Sequence, residues 1–129
     1  MEIYVPQDIE NELRLALSAH VSEAVYVRPL PANPDFPCIE ITATGGSESE
    51  TIDTWTVVLD SRAETEDEAF ELLRRCVGLT RAIAKNGDTP IRYATVNTLG
   101  SWGVDSSRPD LAMCSATLRI VAHEDKTTI

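Results

Sequence analysis

The chain has 129 residues, 43% hydrophobic and 25% charged, proportions that suit one folded globular domain and exclude a disordered segment. A net charge of −10 excludes a protein that grips nucleic acid or anionic lipid through a basic footprint. Cys38, Cys76 and Cys114 form no CxxC and lie in apolar segments, so buried free thiols in a reducing cytoplasm are expected.

The N-terminal MEIYVPQDIENELR lacks the basic start and apolar core of a secretory signal. No apolar run approaches the ~20 residues of a membrane span. Pro6-Gln7-Asp8 reads as a helix start, followed by a buried stripe of Ile9, Leu13, Ala16, Leu17 and His20 at helical spacing. Glu10 and Arg14 stand four apart, placed for an ion pair on the wet side. AVYVR (24–28) is a short strand. The proline-rich PLPANPDFP that follows is an extended connector, because its prolines remove backbone donors.

CIEITAT (38–44) alternates, with Ile39, Ile41 and Ala43 on one face; TWTVVLD (54–60) does the same with Trp55, Val57 and Leu59. Together they predict a hairpin whose acidic loop, 45–53, starts at the flexible Gly45-Gly46 and carries Glu48, Glu50 and Asp53. Thr65-Glu66-Asp67-Glu68 is a capping box. Behind it Ala69, Leu72, Leu73, Cys76, Thr80, Ile83 and Ala84 share one helical face, and Asn86-Gly87 is a stop. IRYATV (91–96) and LAMCSATLRIVAHE (111–124) are the closing strands, the latter with Ala112, Cys114, Ala116, Leu118, Ile120 and Ala122 on one face. Between them NTLGSWGVDSSRPD (97–110) reads as a long loop, and loops of that length tend to be functional. The last few residues are expected to be disordered.

These elements predict a single α+β domain over 1–129. It has a mixed or antiparallel sheet of about five strands and two helices packed on one face, in the order α-β-β-β-α-β-β. The sheet face turned from the helices should be polar if it meets only water. Val58, Leu111, Met113 and Val121 fall out of phase with the inward residues, and Leu99 and Trp102 sit in the long loop. Uncovered apolar positions of this kind point to a partner surface. Charge is also split: residues 1–71 hold 16 acids and 3 bases, whereas residues 72–129 hold 5 acids and 8 bases. Such a chain suits head-to-tail contact between copies of itself.

No motif asks for catalysis, a cofactor or a metal. His20 and His123 lie in separate elements, and His20 is read as a partly buried packing residue. Asp60, Glu64 and Glu68 recur every four residues, yet Asp60 ends a strand and Glu68 serves a cap, so they read as a solvated helix entrance. Gly100-Ser101-Trp102-Gly103 is not a nucleophile elbow, and no phosphate-binding glycine loop is present.

TWTVVLDSRAETEDEAFELLRRCVGLTRAI and SWGVDSSRPDLAMCSATLRIVAHE, with the N-terminal helix and early hairpin, resemble the tail-terminator (minor tail, tail-completion) proteins of long-tailed bacteriophages. The likeness covers most of residues 5–124 and rests on element order, length and texture; the connector at 29–37 has no counterpart in it. The resemblance implies a non-enzymatic structural protein of a phage or prophage virion, made in the bacterial cytoplasm and located in the tail. It implies a ring, usually six-fold, that caps the tail tube, stops its polymerisation and meets the head connector, with DNA passing through unbound. On that reading Glu48, Glu50 and Asp53 face the bore or the tube and repel phosphate. Subunit contacts would come from Leu99, Trp102, Met113 and Val121, and from Arg74, Arg75 and Arg81 meeting a neighbour's acids. Free protein could be monomeric and assemble only on the tube. A stopper or other head-tail joining ring is the runner-up. A small-ligand-binding or regulatory α+β module, with 97–110 as a lid beside Trp102, is the alternative from another class. An enzyme would need Cys114 or Cys38 paired with a histidine in a pocket.

Overall fold

The computed structural model describes residues 1–129. The elements are β1 (Glu2–Val5), α1 (Ile9–Ser18), β2 (Ala24–Val27), β3 (Cys38–Ser49), β4 (Ile52–Ala63), α2 (Glu66–Asn86), β5 (Ile91–Gly103), β6 (Ala112–His123) and β7 (Asp125–Thr128). A mixed five-stranded sheet runs in the order β2-β3-β4-β6-β5, with β2 parallel to β3 and the other pairs antiparallel. The α+β class, the five-stranded sheet and the two helices agree with the sequence reading. β1 and β7 were not expected. They pair antiparallel from Glu2↔Thr128 to Val5↔Asp125, so the C-terminal residues are strand and not disordered tail.

Both helices lie on one face of the large sheet and share one core with it. Ile9, Leu13 and Leu17 of α1 and Leu72, Leu73 and Cys76 of α2 meet Ile39, Ile41, Val57, Leu59, Leu118 and Ile120. The inward residues of β3, β4 and β6 are therefore those the alternation marks. α2 is capped by Thr65, whose Oγ1 accepts the Glu68 backbone N–H at 3.2 Å and whose hydroxyl donates to Glu68 Oε1 at 3.2 Å. It ends at Gly87, left-handed at φ 80. α1 is capped by Asp8, and its stripe stops at Leu17: His20 lies beyond the helix and is exposed, which corrects its reading as a packing residue. Glu10 and Arg14 do not pair. Glu10 instead receives Arg28 and the Ala43 N–H, both at 2.9 Å, and Arg14 donates to Asn11. Residues 28–37 cross from the end of β2 to the start of its parallel neighbour β3, a passage that no tight turn can make.

The hairpin is longer than expected. β3 and β4 run through the two glycines to a tip at Glu50-Thr51, where Glu50 has φ 58. The pairing slips between Ala43 and Gly45, a bulge that increases the local twist. Gly46 lies opposite Trp55, and a Cβ there would stand 2.7 Å from Trp55 Cε3 and 2.9 Å from the Thr54 carbonyl oxygen. Because backbone cannot move aside cheaply, Gly46→Ala is expected to cost about 1–3 kcal/mol in urea denaturation. Gly45→Ala, with nothing within 4 Å of the new carbon, is the control and should cost less.

Candidate functional site

Three carboxylates gather where the hairpin approaches the terminal sheet. Glu48 and Asp53 are directly opposite each other on β3 and β4, and Glu124 lies in the junction between β6 and β7. One carboxylate oxygen from each falls within 4.8 Å of the others. The alternation that turns Trp55, Val57 and Leu59 inward turns Asp53 inward as well, and it is only 2% exposed. Its Oδ2 accepts the Gln7 backbone N–H at 2.9 Å, just before α1. Glu124 continues the inward phase of Ala122 and is 8% exposed. Its backbone N–H donates to the Thr51 carbonyl at 2.9 Å, which docks the hairpin tip on this junction. Gln7 Nε2 locks the other side, donating to the His123 carbonyl at 2.8 Å and to Asp125 Oδ1 at 2.9 Å.

Neither carboxylate oxygen of Glu124 has a hydrogen-bond partner in the protein. That holds for the ionised group; a protonated Glu124 can share its proton with Glu48 first and then Asp53, and this, with burial and the two negative charges, raises its carboxyl from the ordinary 4.5 to about 8. Asp53 is thus a buried member of a cluster and not an exposed lining residue, which corrects its place in the expected acidic loop. Glu48 and Glu50 are exposed. Glu124 was missed. The signal was present, since Cys114, Ala116, Leu118, Ile120 and Ala122 alternate inward and the next step of that period is Glu124. The acids weighed as ligands, Asp60, Glu64 and Glu68, do other work in part: Asp60 accepts the Ser115 hydroxyl, and Glu68 serves the cap.

The second feature is the free edge of the sheet. Half of the expected loop 97–110 is strand, because β5 continues to Gly103 and leaves only the residues after it as connection. Leu99 and Trp102 stand on this outermost strand, 53% and 48% exposed, and Val104 follows at 76%. Their register partners, Ala116 and Cys114, face the helices, so Leu99 and Trp102 lie on the helix side of the sheet edge. Phe70 of α2 adjoins Gly100 between them. Met113 and Val121 belong to the opposite face and are only partly exposed, as is Val58. The expected apolar contacts are therefore not one patch. Leu111 is buried in the turn before β6, its N–H donating to Arg108, and leaves the set.

The expected basic residues also divide. Arg74 pairs with Glu71 and Arg75 with Glu23 within the chain. Arg81 instead joins Lys85 and Arg92 around an open groove of about 470 Å³ between α2 and β5, floored by Ala84, Ala94 and Val96. The other depressions of 290–510 Å³ are lined without Trp102. Burial pushes the thiols of Cys38 and Cys76 up to about 11 and about 12, and that of Cys114 upward, which disfavours the reactive thiolate. Both histidines are exposed while all three thiols are buried. No helix is long and apolar enough to cross a membrane.

The site and fold define an α+β domain with an open, partly apolar strand edge beside a basic groove, and an acidic hairpin at another margin. Comparison with protein-family models gives no match, and neither does comparison with curated proteins.

Proposed function

We propose that the protein is a structural subunit of a phage or prophage tail, a terminator that forms a ring on the tail tube, ends its polymerisation and meets the head connector. The observation that carries this reading is the β5 edge. It is a 13-residue outer strand whose unpaired backbone is flanked by exposed Leu99, Trp102 and Val104 and by the groove of Arg81, Lys85 and Arg92. An open edge of this kind accepts another chain. The acid-rich residues 1–71 of a sister molecule match the groove in charge, and a contact between two different surfaces repeats around a ring when the rotation closes. Bulges near Arg92, Asn97 and Gly100 restrict the edge, which disfavours indiscriminate strand addition. Glu48 and Glu50 then border the bore or the tube, where their charge lets DNA slide.

The test mixes purified chain with tail-tube subunits and counts capped tubes by electron microscopy. Six-fold caps and tubes of limited length are expected with the native chain. Leu99→Glu with Trp102→Glu should abolish capping while the melting temperature changes little, because both side chains are half exposed. Capping by that double variant, or tubes that grow unchecked with the native chain, overturns the proposal. Binding to the connector with tube length unaffected would instead identify a joining or stopper ring.

A further inference from the structure

We propose that Glu48, Asp53 and Glu124 form a binding site for a hard divalent cation, Ca²⁺ by its chemistry, that ties the hairpin tip to the junction of β6 and β7. Three acids from two strands and a junction converge here with no base among them, while Glu124 is nine-tenths buried with both oxygens unpartnered. A buried carboxylate facing two others is unfavourable unless a positive charge or a proton joins it. The neighbouring groups do not supply that charge. Gln7 offers Asp53 a neutral N–H, Asp125 is occupied by the Gln7 amide, and Lys126 is drawn off to Glu2 at 3.1 Å.

The donor set chooses the ion. All three ligands are carboxylate oxygens, with no imidazole or thiolate, which suits Ca²⁺, Mg²⁺ or Mn²⁺ over zinc. Ligand oxygens up to 4.8 Å apart match bonds of roughly 2.3–2.6 Å to a central Ca²⁺. Mg²⁺ demands shorter bonds and near-ideal octahedral geometry and sheds its waters reluctantly, so it should bind more weakly here. Exposed Glu48 leaves one side open to water, so the ion has an entrance and room for water ligands.

Cation binding here is independent of ring assembly and is measured on the free chain. Full-length protein stripped with chelator is titrated with CaCl₂ at pH 8 by isothermal calorimetry, and its melting temperature is followed with and without the ion. One equivalent should bind saturably and raise the melting temperature, with MgCl₂ weaker. Glu124→Gln should weaken binding by about tenfold or more. Glu48→Gln, an exposed change that leaves the fold intact, should weaken it as well. Absence of saturable binding in the native chain overturns the site and leaves the cluster held by a shared proton alone. Native-like binding in both variants also overturns it, since the ion would then sit on scattered surface acids.

Discussion

Arg62→Ala is expected to remove about 2–3 kcal/mol of folding stability, below the ~3–5 kcal/mol of a fully buried pair because Glu40 and Asp105 keep some contact with water. Arg62 is next to last in β4 at 7% exposure, with Nη1 3.0 Å from Glu40 Oε1 and Nε 2.9 Å from Asp105 Oδ2. Burial alone would lower its proton affinity; the hydrogen bond and charge of Glu40, with those of Asp105, raise it above the ordinary arginine value. One guanidinium thus ties β3 to β4 and fastens the connection after β5. Asp105 is held in turn by the Ser107 hydroxyl and N–H, which with Arg62 keep its carboxyl below the usual range. Arg108 stacks on Phe36 at 4.7 Å, so the same connection grips the proline-rich crossover. Without Arg62, Glu40 and Asp105 lose their base while Asp60 stands opposite Glu40. Against a total of about 5–15 kcal/mol, such a loss lowers the urea midpoint severely. Arg62→Lys, which keeps the charge but not the planar fork, should cost less. A loss under about 1 kcal/mol would mean that water screens the pairs as on an open surface.

This triad was invisible in the sequence, and the reason is physical. Arg62, Glu40 and Asp105 are brought together by register and by a loop, neither of which leaves a periodic trace. Features written within a few residues were legible: the Thr65–Glu68 cap, the stripe of α2, the Gly87 stop and the inward faces of β3, β4 and β6. The alternation of β5 is lost after Val96 because its pairing slips at three places, and each slip breaks the period of two by which a strand is read. β1 and β7 are four residues each and pair across almost the whole chain, so no local signal marks them. The carboxylate cluster is an intermediate case. Asp53 and Glu124 both follow from carrying the inward alternation to its end, but acids at the end of a strand read as solvated until their partners are in place.

The edge and the cluster constrain the hairpin differently. A strand edge with half-exposed apolar side chains costs little in a lone molecule, because scattered surface apolar groups are common. A buried, unpartnered carboxylate is different: it penalises the folded state under conditions that can be named. The hairpin tip, held by Thr51 to the Glu124 backbone and by Asp53 to Gln7, carries that penalty at its anchor. Its position is therefore sensitive to protons, whatever the tip touches in an assembly.

In chelator, the chain is expected to lose stability as pH rises from about 5 to about 8, opposite to the usual gain as carboxylates ionise. The sign follows from Glu124. Its carboxyl ionises near 4.5 in the unfolded chain and near about 8 in the folded one, raised first by Glu48, then by Asp53 and burial. Between those values the folded state holds a proton that the unfolded state has released, so each step upward in pH favours unfolding. The contribution is fully present below the unfolded value and is lost through the folded one. Other shifted acids act elsewhere. Glu23, Asp105 and Asp110 are lowered, so their support is present above the ordinary carboxylate range and fails only on stronger acidification. The thiols of Cys38 and Cys76 are raised from 9.0 to about 11 and about 12, so they matter only in alkali. The window is left mainly to Glu124. Thermal melts across it should show a falling midpoint in the native chain and a flat one in Glu124→Gln, whose amide cannot ionise and can donate to Glu48 or Asp53. A native midpoint that rises over the window, or a variant that falls in parallel, would show that Glu124 sheds its proton as freely when folded as when unfolded.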